Sequence, residues 1–319
     1  MAVAELTLSV IPSPLTRPVL DGRATVAGAS VDPRQARSVN ANSLEMLDLA
    51  YDVAEMSLAT FTKAREQGRP IVALPLFTGR RFLQPGVTFA ARAGIHDPSE
   101  LRGKRVGLPQ FWMTSSVWHR LVLRQMHGVA QHEVHWVTTA RERMGALAMP
   151  PVVDVRMDAS GRSPRDLMRD GEIDAAMAAG GGRGDGQAHG DGVVPAYPDL
   201  VSAQRDYYER TRIFPIMHLI VMKEELARSR PELIEGLCRA FLEAKALGLR
   251  EAIESEQPLV GASADEARRL LGDDPWPYGL AANRDALETF VNDARDQHLL
   301  ERPMAVDELF ASNLPADLR

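Results

Sequence analysis

Cysteine is almost missing: Cys238 is the single one in 319 residues, so no internal disulfide can form and no cluster of thiolates can hold a metal. It stands between Leu237 and Phe241 in a helical-looking run, which predicts a packed core thiol. Neither sign of charge is in excess. The 37 Lys and Arg are interspersed with 43 Asp and Glu for a net charge of -6, so there is neither the basic stripe a nucleic-acid backbone needs nor a polybasic arm for anionic lipid. Long apolar runs are also absent, and nothing approaches the roughly 18 consecutive apolar residues of a membrane span. Residues 1–10 have neither the basic start nor the apolar run of a signal peptide, and Pro12, Pro14 and Pro18 interrupt the next stretch of chain. These absences lead to the expectation of a cytoplasmic protein with no nucleic-acid and no membrane partner.

With 45% apolar and 25% charged residues over this length, the chain can fill two cores of ordinary domain size, so two lobes are expected. Short runs rich in Val and Ile recur at 6–11, 71–76, 87–91, 105–108, 135–137, 152–157 and 216–222. Between them, apolar residues at three-to-four spacing mark helices at 44–49, 57–66, 114–127, 164–170 and 231–252. This alternation predicts α/β units with largely parallel strands. A helix, a turn at Gly171 and a strand through Met177 come next, and then the stretch 180–192 holds seven glycines, a loop in which Arg183-Gly184-Asp185 carries no special meaning. The tail 272–319 is expected to wrap one lobe.

Four places carry candidate chemistry. Val106-Gly107-Leu108-Pro109 reads as a strand end, and Trp112, Met113, Thr114, Ser115 and Ser116 lead into a long amphipathic helix. A helix start with hydroxyls and free amides suits a carboxylate or phosphate, although an N-cap alone would need only one hydroxyl. Glu55 lies where a strand-like stretch meets the helix from Ser57, a position for a general base or hydroxyl acceptor as readily as for a surface carboxylate. Arg80 and Arg81 follow a strand through the Thr78-Gly79 turn, near the strand ends where open α/β sheets bind ligands. Of the eight histidines, His218 stands out because it interrupts the apolar run 214–221, and a histidine there needs a polar partner or a cavity. His132 and His135 lack a third ligand in pattern, so no metal is expected there.

Several strings, in order along almost the whole chain, resemble the 4,5-dihydroxyphthalate decarboxylase family. They include Asp52-Val53-Ala54-Glu55-Met56-Ser57-Leu58, Leu101-Arg102-Gly103-Lys104, Met113-Thr114 with Val117-Trp118, and His135-Trp136-Val137-Thr138. Gly171-Glu172-Ile173-Asp174-Ala175 adds another, and the most specific are Phe214-Pro215-Ile216-Met217-His218 and Asp274-Pro275-Trp276-Pro277-Tyr278-Gly279-Leu280. The resemblance implies a two-lobed type II periplasmic-binding-protein-like fold with a ligand cleft between lobes. Its first lobe would comprise about 1–85 and, with the C-terminal wrap, 225–319; the second would be about 86–224.

The family's activity is non-oxidative loss of CO2 from an aromatic dicarboxylate. On that resemblance Glu55, Ser57, Arg80, Met113, Thr114 and His218 line the cleft. Trp112 and Ser115 at the helix start and Arg17 in Thr16-Arg17-Pro18 are counted with the substrate-binding residues. The expected roles are His218 as proton donor to the ring, Glu55 as hydroxyl acceptor, and Arg80 with Thr114 and Ser115 as a clamp for the retained carboxylate. No cofactor is expected, a divalent metal shared by Glu55 and His218 being left open, as is a homo-oligomer. The partner expected is a small aromatic carboxylate substrate. The chain departs from the family at Ile11-Pro12-Ser13-Pro14-Leu15, where a Gly-Asp-Tyr-Asp-Arg-like string is usual, and at Leu83-Gln84, where Arg-His is usual. These losses of polar groups keep two alternatives open: a cytosolic non-catalytic carboxylate-binding protein, and a divergent enzyme of secondary metabolism on the same scaffold.

Overall fold

The computed structural model describes residues 4–142, 149–178, 192–255 and 264–319; of the glycine-rich loop expected at 180–192, all but Gly192 lies outside the described residues. The chain divides into two compact units. Unit 1 is Met1–Arg81, Ile216–Val291 and Arg302–Arg319, and unit 2 is Phe82–Pro215 and Asn292–Glu301. The return to unit 1 thus falls at Ile216 rather than near 224, because the strand beginning there pairs with the first sheet. Residues 292–301 leave the C-terminal wrap for unit 2, where Gln297 meets Arg120.

Unit 1 begins with β1 (Ala4–Ser9), β2 (Ala29–Pro33), β3 (Val53–Ser57), β4 (Ile71–Ala73) and β5 (Gly79–Arg80). Unit 2 contributes β6 (Val87–Ala90), β7 (Arg105–Leu108), β8 (His135–Thr138), β9 (Val155–Met157), β10 (Ala175–Met177) and β11 (Val193–Pro195), and β12 (Ile216–Lys223) belongs to unit 1. The first sheet runs β2-β1-β3-β12-β4, with β5 on β12. Here β2, β1 and β3 are parallel, whereas β12 is antiparallel to β3, β4 and β5. The sheet is therefore mixed rather than largely parallel, because β12 is inserted between strands laid down earlier in the chain. The second sheet runs β11-β6-β10-β7-β8-β9, with β6 antiparallel to both neighbours.

Proline sets several strand ends. The run expected at 71–76 stops at Ala73, since Pro75 has no N–H for the ladder. Leu74 N–H still reaches Ile220 O at 2.9 Å, and Ile220 N–H reaches Leu76 O at 3.0 Å. The run expected at 152–157 shortens to β9 behind Pro150 and Pro151, leaving Val152 exposed. One helix starts before the expected one at 44–49, and another falls where no helix was expected. Val39–Leu47 starts early on the cap formed by Ser38 Oγ and Ala41 N–H at 3.1 Å, and Leu200–Thr211 starts on Asp199, which accepts from Ser202 N–H at 3.0 Å.

The core of unit 1 lies on β3 and β12, where Val53, Ala54, Met56, Leu219, Ile220, Val221 and Met222 are fully buried. Each larger apolar side chain stabilises by about 1.5–3 kcal/mol. His218 is the polar interruption in that buried strand, at the end nearest β5. The core of unit 2 gathers Ala90, Val137, Leu167, Met168, Ile173 and Ala176. Among the described residues no helix is long and apolar enough to cross a membrane.

Candidate active site

In unit 1, β3 and β12 pair with His218 opposite Ser57 and Ile220 opposite Glu55. Side chains alternate faces along a strand, so Glu55, Ser57 and His218 share one face. Glu55 is buried and meets three donors. Thr78 Oγ1 donates to Oε1 at 2.9 Å, His218 Nδ1 lies 3.1 Å from the same oxygen, and Ile11 N–H donates to Oε2 at 2.8 Å. A carboxylate oxygen accepts, so Nδ1 is the donor in this contact and Nε2 is the ring nitrogen that Glu55 does not engage. The His218 side chain is 23% exposed while that of Glu55 is 4% exposed, so the imidazole is the reachable member of the pair.

The sheet explains the placement. The chain leaves β1 for β2 on one side and later β3 on the other, a topological switch point, where open α/β sheets bind ligands beyond the strands' carboxyl ends. The bond from Ile11 N–H to Glu55 spans that point, joining the segment after β1 to β3. Gly79 of β5 faces His218, and a Cβ added there would lie 2.4 Å from Nδ1 and 2.7 Å from Cγ. The ring occupies the space that any other residue at 79 would claim.

Arg80 has partners within unit 1 that the sequence does not show. It is buried, and its Nη2 donates to Pro277 O at 3.0 Å and to Asn283 Oδ1, with the guanidinium 5.3 Å from the Phe77 ring centroid. It therefore grips the Trp276–Leu280 string. Ser57 also has local tasks: its Oγ donates to Thr60 Oγ1 at 3.0 Å and its N–H to Ser43 Oγ at 3.0 Å. Arg17 is exposed and borders a cavity of about 280 Å³ with Pro14, Gly248, Glu251, Ala252 and Ser255, and no described bond links it to Glu55 or His218.

Unit 2 places the other candidates at the start of the helix Thr114–His127. Thr114, Ser115 and Ser116 are all buried, and the N-cap residue is Met113, which offers no side-chain cap. Ser115 Oγ, Ser116 Oγ and Trp112 Nε1 are buried without a hydrogen-bond partner among the described residues. Such a cluster can receive an anion. The preceding turn is held rigidly. Glu142 accepts from Phe111 N–H at 2.6 Å and Trp112 N–H at 3.3 Å, and Arg120 Nη1 donates to Phe111 O at 2.8 Å. Arg120 is fully buried, 3.8 Å from the Phe111 ring centroid, and its Nε donates to Gln297 at 2.7 Å. Burial pushes its guanidinium down to about 9, against the opposing pull of Asp293 and Glu142.

Sequence reasoning misses Thr78, Arg120, Glu142 and Asn283. Thr78 reads as a turn residue and Arg120 as part of an amphipathic helix. Glu142 and Asn283 give no local signal, since their partners are remote in the chain. Among the described residues no three His, Cys, Asp or Glu side chains converge on a metal position.

No protein-family model matches the chain. A 4,5-dihydroxyphthalate decarboxylase of Comamonas testosteroni is 30% identical over 326 aligned positions, covering 97% of this chain and 97% of its own. This chain belongs to the 4,5-dihydroxyphthalate decarboxylase family. A second 4,5-dihydroxyphthalate decarboxylase, of Pseudomonas putida, is 29% identical over 171 positions, covering 50% of this chain and 65% of its own. Among solved structures, the periplasmic aliphatic sulphonate binding protein SsuA of Escherichia coli superimposes with a TM-score of 0.55 at 14% identity, over 98% of this chain and 99% of its own. The alkanesulfonate-binding protein SsuA of Xanthomonas axonopodis pv. citri gives 0.52 at 10% identity, over 96% and 98%. At such identities the likeness is one of fold: this decarboxylase-family chain has the two-lobed periplasmic-binding-protein-like fold.

Proposed function

We propose that the protein catalyses non-oxidative loss of CO2 from a hydroxylated aromatic dicarboxylate of the 4,5-dihydroxyphthalate type. The single observation that carries this is the Glu55–His218 pair, with His218 Nδ1 held at 3.1 Å by a buried carboxylate and no bond to the other ring nitrogen among the described residues. Protonated His218 delivers its Nε2 proton to the ring carbon that bears the departing carboxylate. A hydroxyl para to that carbon supplies electron density to the protonated ring. The carbon–carbon bond then breaks, its electron pair returns to the ring, aromaticity is restored, and CO2 leaves. One proton is consumed and no redox change occurs.

In this scheme Glu55 is a positioning residue rather than the hydroxyl acceptor expected from the sequence, because its oxygens already serve Thr78, His218 and Ile11. The reading is tested by CO2 release and product mass from 4,5-dihydroxyphthalate and a panel of hydroxybenzoates, for the parent and His218→Asn. Asparagine can still bond Glu55 but cannot carry a proton, so the expected loss in kcat is on the order of 10²-fold or more, with KM little changed. A parent that releases no CO2 from any panel member would remove the decarboxylase reading. Full turnover by His218→Asn would remove His218 from the reaction.

A further inference from the structure

Tyr278 sits in a turn of unit 1 that is pinned on both sides. Asn283 Nδ2 donates to Pro277 O at 3.1 Å and to Gly279 O at 2.7 Å, and Arg80 Nη2 donates to the same Pro277 O. Gly279 N–H donates to Pro75 O at 2.9 Å and Trp276 Nε1 to Phe77 O at 2.5 Å. The turn therefore lies along the 75–80 segment, which carries Thr78 and Gly79, the neighbours of Glu55 and His218. Lys245 Nζ stands 5.0 Å from the Tyr278 ring centroid, fixing the ring from one side.

With so many bonds holding the turn, the phenol hydroxyl is nonetheless buried without a hydrogen-bond partner among the described residues, and the residue is 7% exposed. An unsatisfied buried hydroxyl costs about 1–3 kcal/mol, so phenylalanine would serve a purely structural purpose better. Burial raises the hydroxyl above its ordinary value, with Arg80 opposing and Glu55 and Asp274 adding to the rise. Tyr278 therefore keeps its proton at neutral pH and is available as a donor. Lys245 stands over its ring, and the nearby carboxylates are occupied: Glu55 by its three donors, Asp274 by Lys245 at 2.6 Å. A donor without a partner among the described residues calls for an acceptor from a ligand, and a carboxylate is the acceptor that the proposed substrate carries.

We infer that Tyr278 is a substrate-binding residue whose hydroxyl donates to the carboxylate that stays on the ring after CO2 departs, an assignment that rests on the decarboxylase reading above. This role falls to Tyr278 rather than Arg80, whose guanidinium builds the turn that presents it. The test is calorimetric binding of 3,4-dihydroxybenzoate, the product of losing one carboxylate, and of catechol, which has none, to the parent and to Tyr278→Phe. A charge-assisted bond predicts at least about tenfold weaker binding of the acid by the variant and unchanged binding of catechol. Because no internal bond is lost, the melting temperature of the ligand-free variant should equal or exceed the parent's. Unchanged affinity for the acid, equal weakening of both ligands, or a parent that binds the acid no better than catechol would each overturn the assignment. A parent that releases no CO2 yet loses acid binding on Tyr278→Phe would instead sink the decarboxylase reading and leave the anchor standing.

Discussion

Glu55 meets three donors from three parts of unit 1, and this decides what its neighbour can do. Fixed by Glu55 at Nδ1, the His218 ring presents Nε2 in one orientation, and the space it fills exists only because residue 79 has no side chain. Gly79→Ala would put a methyl carbon within 2.4 Å of Nδ1, so the ring must rotate or move. A displacement of about 1 Å of a catalytic group can cost about 10²-fold in rate. Steady-state kinetics of Gly79→Ala are therefore expected to show kcat reduced by one to two orders of magnitude with a smaller change in KM. Parental kcat in that variant would mean that the ring position is not critical.

At the level of elements, strand pairing in unit 2 is fastened by charge as well as by the ladder. Asp174, in the turn before β10, accepts from Arg105 N–H at 3.0 Å, Nε at 3.1 Å and Nη2 at 2.8 Å, which ties it to the start of β7. Burial works against ionisation of Asp174, but Arg105, aided by Arg92, outweighs it and the carboxyl is held below the ordinary 3.8. A carboxyl depressed by folding stabilises above its unfolded value and loses that contribution as pH falls through the lower folded one. Urea unfolding should thus find Asp174→Asn less stable than the parent at pH 7, with the gap closing below about pH 4. A gap that persisted unchanged at pH 3 would show that the pair contributes shape rather than charge.

For the whole chain, the chief fact is that sequence order and unit membership do not coincide. Residues 292–301 belong to unit 2, although the segments on either side belong to unit 1. Through this excursion Gln297 Oε1 accepts from Arg120 Nε at 2.7 Å, and its Nε2 donates to Val117 O at 2.9 Å, a link across about 180 residues. Gln297→Ala would leave a fully buried guanidinium short of an acceptor, and hydrogen bonds to charged groups contribute about 1.5–3 kcal/mol. Denaturant unfolding is expected to show a loss of about 2 kcal/mol or more. A change under about 0.5 kcal/mol, the scale of ordinary surface substitutions, would mean that Arg120 finds another acceptor.

The α/β class, most strand and helix positions, and His218 as an outstanding polar residue were legible in the sequence itself, because each rests on local pattern. His218 interrupts an apolar run, where burying an ionisable group without a partner is too costly to be incidental, while the position of Glu55 suited a surface carboxylate equally well. That Glu55 and His218 could meet was left open by the resemblance, but their direct contact was not legible, since the register of β12 on β3 joins positions 163 residues apart. Arg80 shows the limit from the other side: its place near a strand end suggested a carboxylate clamp, and local pattern gave no sign that its Nη2 donates to Pro277 and Asn283. Residue type and periodicity determined which side chains had to be satisfied. Only the tertiary structure decided which acceptor or donor satisfies each, because hydrogen bonds depend on distances of about 3 Å that local pattern does not encode.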